Sequence, residues 1–213
     1  SGAIARLPED IGAGQGLGKY DAIACGPGLS TDALAVVEQL IACDVPLLLD
    51  ADGLNGAAAL GVQRLNARSA LTVLTPHLGE FKRLFPAIEP SSDRIKMAQD
   101  AARQSNAVVV LKGGRVAIAH PDQRVWINPE STPALARGGS GDVLTGLMGG
   151  LMAQSIVRDL SIDKIIATAA WWHAQAGRYV ARHRTELGVD AETLAEMLIP
   201  TLATVLKPEP FQD

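Results

Sequence analysis

The sequence predicts a three-layer α/β fold, with a mostly parallel central sheet and helices on both faces. Short apolar runs of strand length alternate with stretches whose apolar residues recur at helical spacing. The strand-like runs are apolar nearly throughout, as strands covered on both faces require. Clusters of glycine and proline punctuate their ends, so each strand feeds a turn before the next helix.

Asp21–Cys25 is the first apolar run, ended by Gly26-Pro27-Gly28, and a helix capped by Ser30 or Thr31 is expected to about Cys43. Leu34, Val37, Leu40 and Ile41 would lie on its inner face. Pro46–Asp50 is the second strand, followed by a short helix over Ala57–Leu60. Leu71–Leu74 is the third, stopped by Thr75-Pro76, with helices expected over Leu78–Phe85 and Asp93–Gln104. Ala107–Leu111 is the fourth. Val116–Ala119 and Arg124–Ile127 flank His120-Pro121-Asp122-Gln123 and read as a hairpin added to the sheet. Beyond a loop the chain is helical: Asp142–Gln154, Ser161–His183, and Asp190 to about Val205. No repeat or linker divides it, so residues 1–213 are expected to form a single domain.

Composition narrows the function. Hydrophobic residues make up 47% and charged residues 20% of the chain, the balance of a soluble globular protein. The net charge is −4 with no basic stripe, and aromatics are 4%, which argues against nucleic acid or an anionic membrane as partner. Cys25 and Cys43 lie in apolar runs and read as buried thiols of a reducing cytoplasm. Ser1–Asp10 shows no signal-peptide pattern, and no stretch reaches the length of a membrane span.

The polar residues fall where a parallel α/β sheet binds ligands, beyond the carboxyl ends of its strands. Gly138-Gly139-Ser140-Gly141-Asp142 opens an apolar helix, whose free N–H groups and partial positive charge suit an anion. An acid there would repel a bound phosphate, so Asp142 makes sense as a base acting on a hydroxyl beside it. Lys112-Gly113-Gly114-Arg115 ends the fourth strand: either a charge and a bare backbone for a nucleotide, or a tight hairpin with a solvated lysine. Asp50 and Asp52 would share one side of an extended chain, holding Mg2+ through water or bonding a polar ligand. Asn55 either joins them or caps the short helix. His77 and Glu80 share a helical face, with His77 on substrate and Glu80 on water or Mg2+, or with Glu80 as a capping acid. His173 reads as a satisfied packing residue, and His120 and His183 as surface residues.

Taken in order, GPGLS, LLLDADGLN, TPHLGEFKRLF, VVVLKGGRVAIA and TPALARGGSGDVLTG resemble the ADP- or ATP-dependent NAD(P)H-hydrate dehydratases, a ribokinase-like, carbohydrate-kinase-related family. The likeness runs from about Leu7 to the last helix. It implies metabolite repair: dehydration of (S)-NAD(P)H hydrate by phosphorylation of the ring hydroxyl and loss of phosphate. It implies ADP or ATP and Mg2+ as cofactors, and an NAD(P)HX epimerase as partner or fusion. By motif, Gly28, His77 and Asp142 would contact the substrate, while Lys112, Gly113, Gly114, Arg115 and Val116, with Gly139 and Gly141, would contact the nucleotide. The chain departs from the pattern at Arg137 and Val116, where threonines are usual, and enters it after the family's opening strands. A free sheet edge would then favour a homo-oligomer. Two alternatives stand beside this expectation: a small-molecule kinase of the same superfamily, and a truncated, inactive nucleotide-binding module.

Overall fold

The computed structural model describes residues 17–206, so the readings made on Ser1–Asp10 and at Leu7 fall outside the described residues. Six strands, β1 (Ile23–Cys25), β2 (Leu47–Leu49), β3 (Thr72–Leu74), β4 (Val108–Leu111), β5 (Val116–Ala119) and β6 (Val125–Asn128), form one sheet in chain order. β1 to β4 are parallel, and β5 and β6 return antiparallel as the expected hairpin.

The pleat explains why the strand runs are apolar throughout. Leu47 and Leu49 of β2, with Val109 and Leu111 of β4, enter one core, while Leu48, Val108 and Val110 enter the other. The first core is closed by helices α1 (Ala33–Ile41), α2 (Ala51–Leu60), α3 (Leu78–Leu84) and α4 (Arg94–Ser105), through residues such as Val37, Leu54, Phe81 and Met97. The second is closed by α5 (Ser140–Val157) and α6 (Ile162–Arg184), through Leu144, Met148, Met152 and Ile166. This is the expected three-layer sandwich.

Four local readings are corrected. Ser30 is not a helix cap: it sits at φ 52 in a short 3-10 turn, and its N–H donates to Asp52 Oδ2 at 2.9 Å. α2 begins at Ala51, directly after β2, so Asp50 and Asp52 do not share the side of an extended chain. Asp52, Gly53, Asn55 and Gly56 are weak helix formers, and the helix is held by packing of Leu54 and Ala57 rather than by propensity. The last helix is two, α7 (Ala191–Glu196) and α8 (Leu198–Leu206). Pro200 has no N–H and its ring would strike the carbonyl four residues back, so it is tolerated only in a first helical turn. His120 is only 3% exposed, because the hairpin folds it toward the start of α6, where Nδ1 lies 3.2 Å from Asp163 Oδ1. Burial holds its pKa below the ordinary histidine value.

Candidate active site

Parallel pairing sends the carboxyl ends of β1 to β4 to one rim, and β5 brings Val116 back to it. At that rim lies a cavity of about 690 Å³, a size that suits a nucleotide-scale ligand. Gly26 lets the chain leave β1 there. Its φ is +144, and a Cβ would stand 1.7 Å from the Asp50 carbonyl oxygen, so no other residue fits.

The floor is an ionic cluster drawn from three elements. Asp50, 1% exposed, accepts from Lys112 Nζ at 2.6 Å through one oxygen and from Thr145 Oγ1 of α5 at 2.8 Å through the other. Glu80 Oε2 lies 4.0 Å from the same ammonium. Glu80 is fixed by a capping box at the start of α3. Its carboxylate accepts from the His77 N–H at 2.8 Å, while His77 Nδ1 accepts from the Gly79 and Glu80 N–H groups at 3.0 and 3.1 Å. The ammonium is thus placed by β2, α3 and β4 together.

Arg94, the first residue of α4, secures the loop that carries Lys112. Its guanidinium donates to the carbonyls of Leu111, Lys112 and Arg115 at 3.0, 2.8 and 3.2 Å. Burial pulls its pKa down from the usual arginine range.

α5 supplies the other wall. Gly139 precedes it in the left-handed region at φ +84, and a Cβ there would meet Ala191 Cβ at 2.7 Å. Ser140 and Val143 pair their N–H groups with Arg137 and Gly139, whereas among the described residues Gly141 and Asp142 N–H find no backbone acceptor. These two donors belong to residues that line the cavity, in the first turn of the helix. The Gly141 Cβ position lies 3.5 Å from both Lys112 Nζ and Asp50 Oδ2, so the ammonium sits at the helix mouth. Asp142 is exposed on the cavity wall. His173 of α6 locks the turn from behind: Nε2–H donates to the Ser140 carbonyl at 2.9 Å, with Ser140 Oγ at 3.3 Å. Burial pushes its pKa down to about 4, outweighing the Ser140 hydrogen bond, so the ring is neutral at physiological pH.

Nine of the residues singled out from sequence line this cavity: Asp50, His77, Glu80, Lys112, Gly113, Gly114, Val116, Gly141 and Asp142. Five do not. Gly28 turns the loop after β1, and Gly139 shapes the helix start from outside the wall. Arg115 contributes its carbonyl to Arg94, and its side chain is exposed. Asn55 and Asp52 form a surface network with Arg83 and Ser30, in which Arg83 Nε donates to Asn55 Oδ1 at 3.0 Å. A Mg2+ held by Asp52 and Glu80 does not fit, since Asp52 faces Ser30 and both Glu80 oxygens face His77 and Lys112. Among the described residues no group of three or more His, Cys, Asp or Glu is arranged to hold a metal. Sequence reasoning missed His173 as a wall residue, and also Thr145 and Arg94. Thr145 carried a signal, lying three residues after Asp142 on the same helical face.

A family model described as NAD(P)H-hydrate dehydratase matches residues 5–200. A bifunctional NAD(P)H-hydrate repair enzyme of Synechocystis is 53% identical over 209 residues, covering 98% of this chain and 38% of that protein. The chain therefore spans well under half the length of this curated relative. The crystal structure of the ADP/ATP-dependent NAD(P)H-hydrate dehydratase from Bacillus subtilis, co-crystallised with ATP/Mg2+ and soaked with CoA, superposes with a TM-score of 0.76. It is 31% identical, covering 87% of this chain and 66% of that one. A ribokinase-like superfamily protein of Enterococcus faecalis, at 24% identity and a TM-score of 0.71, shares the fold.

Proposed function

The chain belongs to the NAD(P)H-hydrate dehydratase family, and from that premise we propose that it uses ADP or ATP to dehydrate (S)-NAD(P)H hydrate to NAD(P)H. The observation that carries this reading is the meeting, in one cavity, of a carboxylate (Asp142), two free helix-start N–H groups and a fixed ammonium (Lys112). Phosphoryl transfer is catalysed chiefly by positioning and by charge placed where the phosphoryl oxygens gather. Here the Gly141 and Asp142 N–H groups and Lys112 hold the transferring phosphoryl group. Gly113, Gly114 and Val116 take the nucleotide against bare backbone.

Asp142 accepts the proton of the ring hydroxyl as its oxygen attacks the terminal phosphorus, and the shortened nucleotide leaves. The new ester then departs as inorganic phosphate, driven by the ring nitrogen lone pair. Loss of the neighbouring ring proton restores the double bond of the dihydronicotinamide. His77 lines the same cavity, with Nε2 held 3.4 Å from Glu80 Oε1, and its exposed ring edge contacts the substrate. Any Mg2+ would be held chiefly by the nucleotide, since Asp52 and Glu80 are engaged with Ser30, His77 and Lys112, and it would supply positive charge to the phosphoryl group. The setting we infer is cytoplasmic metabolite repair in one domain, beside an NAD(P)HX epimerase activity. No helix among the described residues is long and apolar enough to cross a membrane.

The test mixes the protein with hydrated NADH and ADP or ATP, following the absorbance of regenerated NADH. Nucleotide-dependent regeneration that vanishes in Asp142→Asn supports the reading. Turnover of an alcohol to a stable phosphate ester, with hydrated NADH inert, would replace it with the kinase reading.

A further inference from the structure

The side chains of the cavity wall carry more negative charge than positive. Two cations, Lys112 and Arg137, face three carboxylates: Asp50, Glu80 and Asp142. Lys112 is already matched, with Asp50 at 2.6 Å and Glu80 at 4.0 Å. Arg137 is different. Its side chain makes no ion pair or hydrogen bond among the described residues, and it is exposed on the wall.

Its backbone is nonetheless fixed. The Arg137 carbonyl accepts from Ser140 N–H at 3.3 Å, closing the turn that leads through Gly138 and Gly139 into α5. The guanidinium is therefore rooted at the mouth that carries the unpaired Gly141 and Asp142 N–H groups. A free, planar, five-donor cation beside two unpaired backbone donors matches the fork geometry of a phosphate. A nucleotide phosphate entering here meets Lys112 with its charge largely cancelled and Arg137 with its charge intact.

We propose that Arg137 is a specificity-determining residue of this cavity, pairing with a phosphate of a bound nucleotide and setting which phosphorylation state binds best. The proposal rests on the nucleotide reading of the cavity given above. Two sources carry the required chemistry, the outer phosphates of the donor nucleotide and the phosphates of the hydrated dinucleotide.

Calorimetric titration of adenosine, AMP, ADP and ATP with Mg2+ into the wild type, Arg137→Ala and Arg137→Lys distinguishes them, alongside KM for hydrated NADH and NADPH. Loss of a charged hydrogen-bonded pair at an exposed site is expected to weaken the phosphate ligand about tenfold. Weaker ADP or ATP binding in Arg137→Ala, with adenosine unchanged and Arg137→Lys intermediate, places the residue on the donor. A KM raised for the hydrated dinucleotide, with ADP and ATP affinity unchanged, places it on the substrate. Affinities and KM values all within twofold of wild type overturn the proposal. So does an equal loss for adenosine, which has no phosphate to grip. A wild type that binds nucleotides but regenerates no NADH refutes the dehydratase reading and leaves the binding comparison to judge Arg137 separately.

Discussion

Replacing Asp50 by Asn keeps the shape of the cavity floor and removes one charge from it. Asp50 is 1% exposed and bonds Lys112 Nζ at 2.6 Å, so the variant leaves a largely buried ammonium short of its nearest counter-charge. Breaking one partner of a buried pair costs about 3–5 kcal/mol. The Lys112 side chain retains 19% exposure and Glu80 at 4.0 Å, which places the effect near the lower end, about 3 kcal/mol. A hydrogen bond to Thr145 survives with its direction reversed, because the Asn carbonyl faces Lys112 and its amide N–H can donate to Thr145 Oγ1. For a chain of this size about 3 kcal/mol corresponds to a fall in Tm of about 6–12 °C. Denaturant unfolding measures the loss directly, and Lys112→Met completes a double-mutant cycle. With Asp50 already neutral, Lys112→Met should cost about 2 kcal/mol less than it does in the wild type. Additive effects, or an Asp50→Asn loss below about 1 kcal/mol, would refute the idea that this pair fastens the floor.

Three further outcomes follow from the same geometry. Asp142→Asn should lower kcat by about 10²–10⁴ while AMP affinity, measured by calorimetry, stays within a few fold; retained turnover would remove Asp142 from the chemistry. The pKa of His173 is about 4 in the folded protein against 6.5 ordinarily, so the unfolded chain takes up its proton first as pH falls. Stability from this residue should therefore decline between pH 6.5 and 4, by about 3 kcal/mol in all, and His173→Gln should flatten that slope in denaturant titrations. Arg94→Ala frees the carbonyls of Leu111, Lys112 and Arg115. It should weaken nucleotide binding several-fold and speed amide exchange in the Lys112–Arg115 loop, and unchanged exchange there would contradict the clamp.

The sheet was legible because its signals are local and repeated. Runs such as Ala107–Leu111 can be little else than doubly covered strands, and each is found within two residues of its expected bounds. The rim was legible because parallel topology converts strand ends into neighbours, which is why Asp50, His77, Lys112 and Asp142 meet. What sequence could not show is where a side chain turns once there. Asp50 was expected to meet a ligand, yet both of its oxygens face Lys112 and Thr145. Asp52 lies two residues away and belongs to a surface network, because Ala51 turns the chain at φ 46 and starts a helix that weak formers gave no reason to expect. His173 was correctly taken as satisfied, but its partner, Ser140, lies 33 residues away, so its place behind the helix mouth depends on tertiary contact.

The claim that this cavity couples phosphoryl transfer to dehydration is tested most directly by stoichiometry. Released inorganic phosphate and regenerated NADH should be measured together on hydrated NADH with limiting ADP or ATP. The account predicts equimolar phosphate and NADH, with neither formed by Asp142→Asn. NADH formed without nucleotide, or a phosphorylated product that accumulates without losing phosphate, would contradict it.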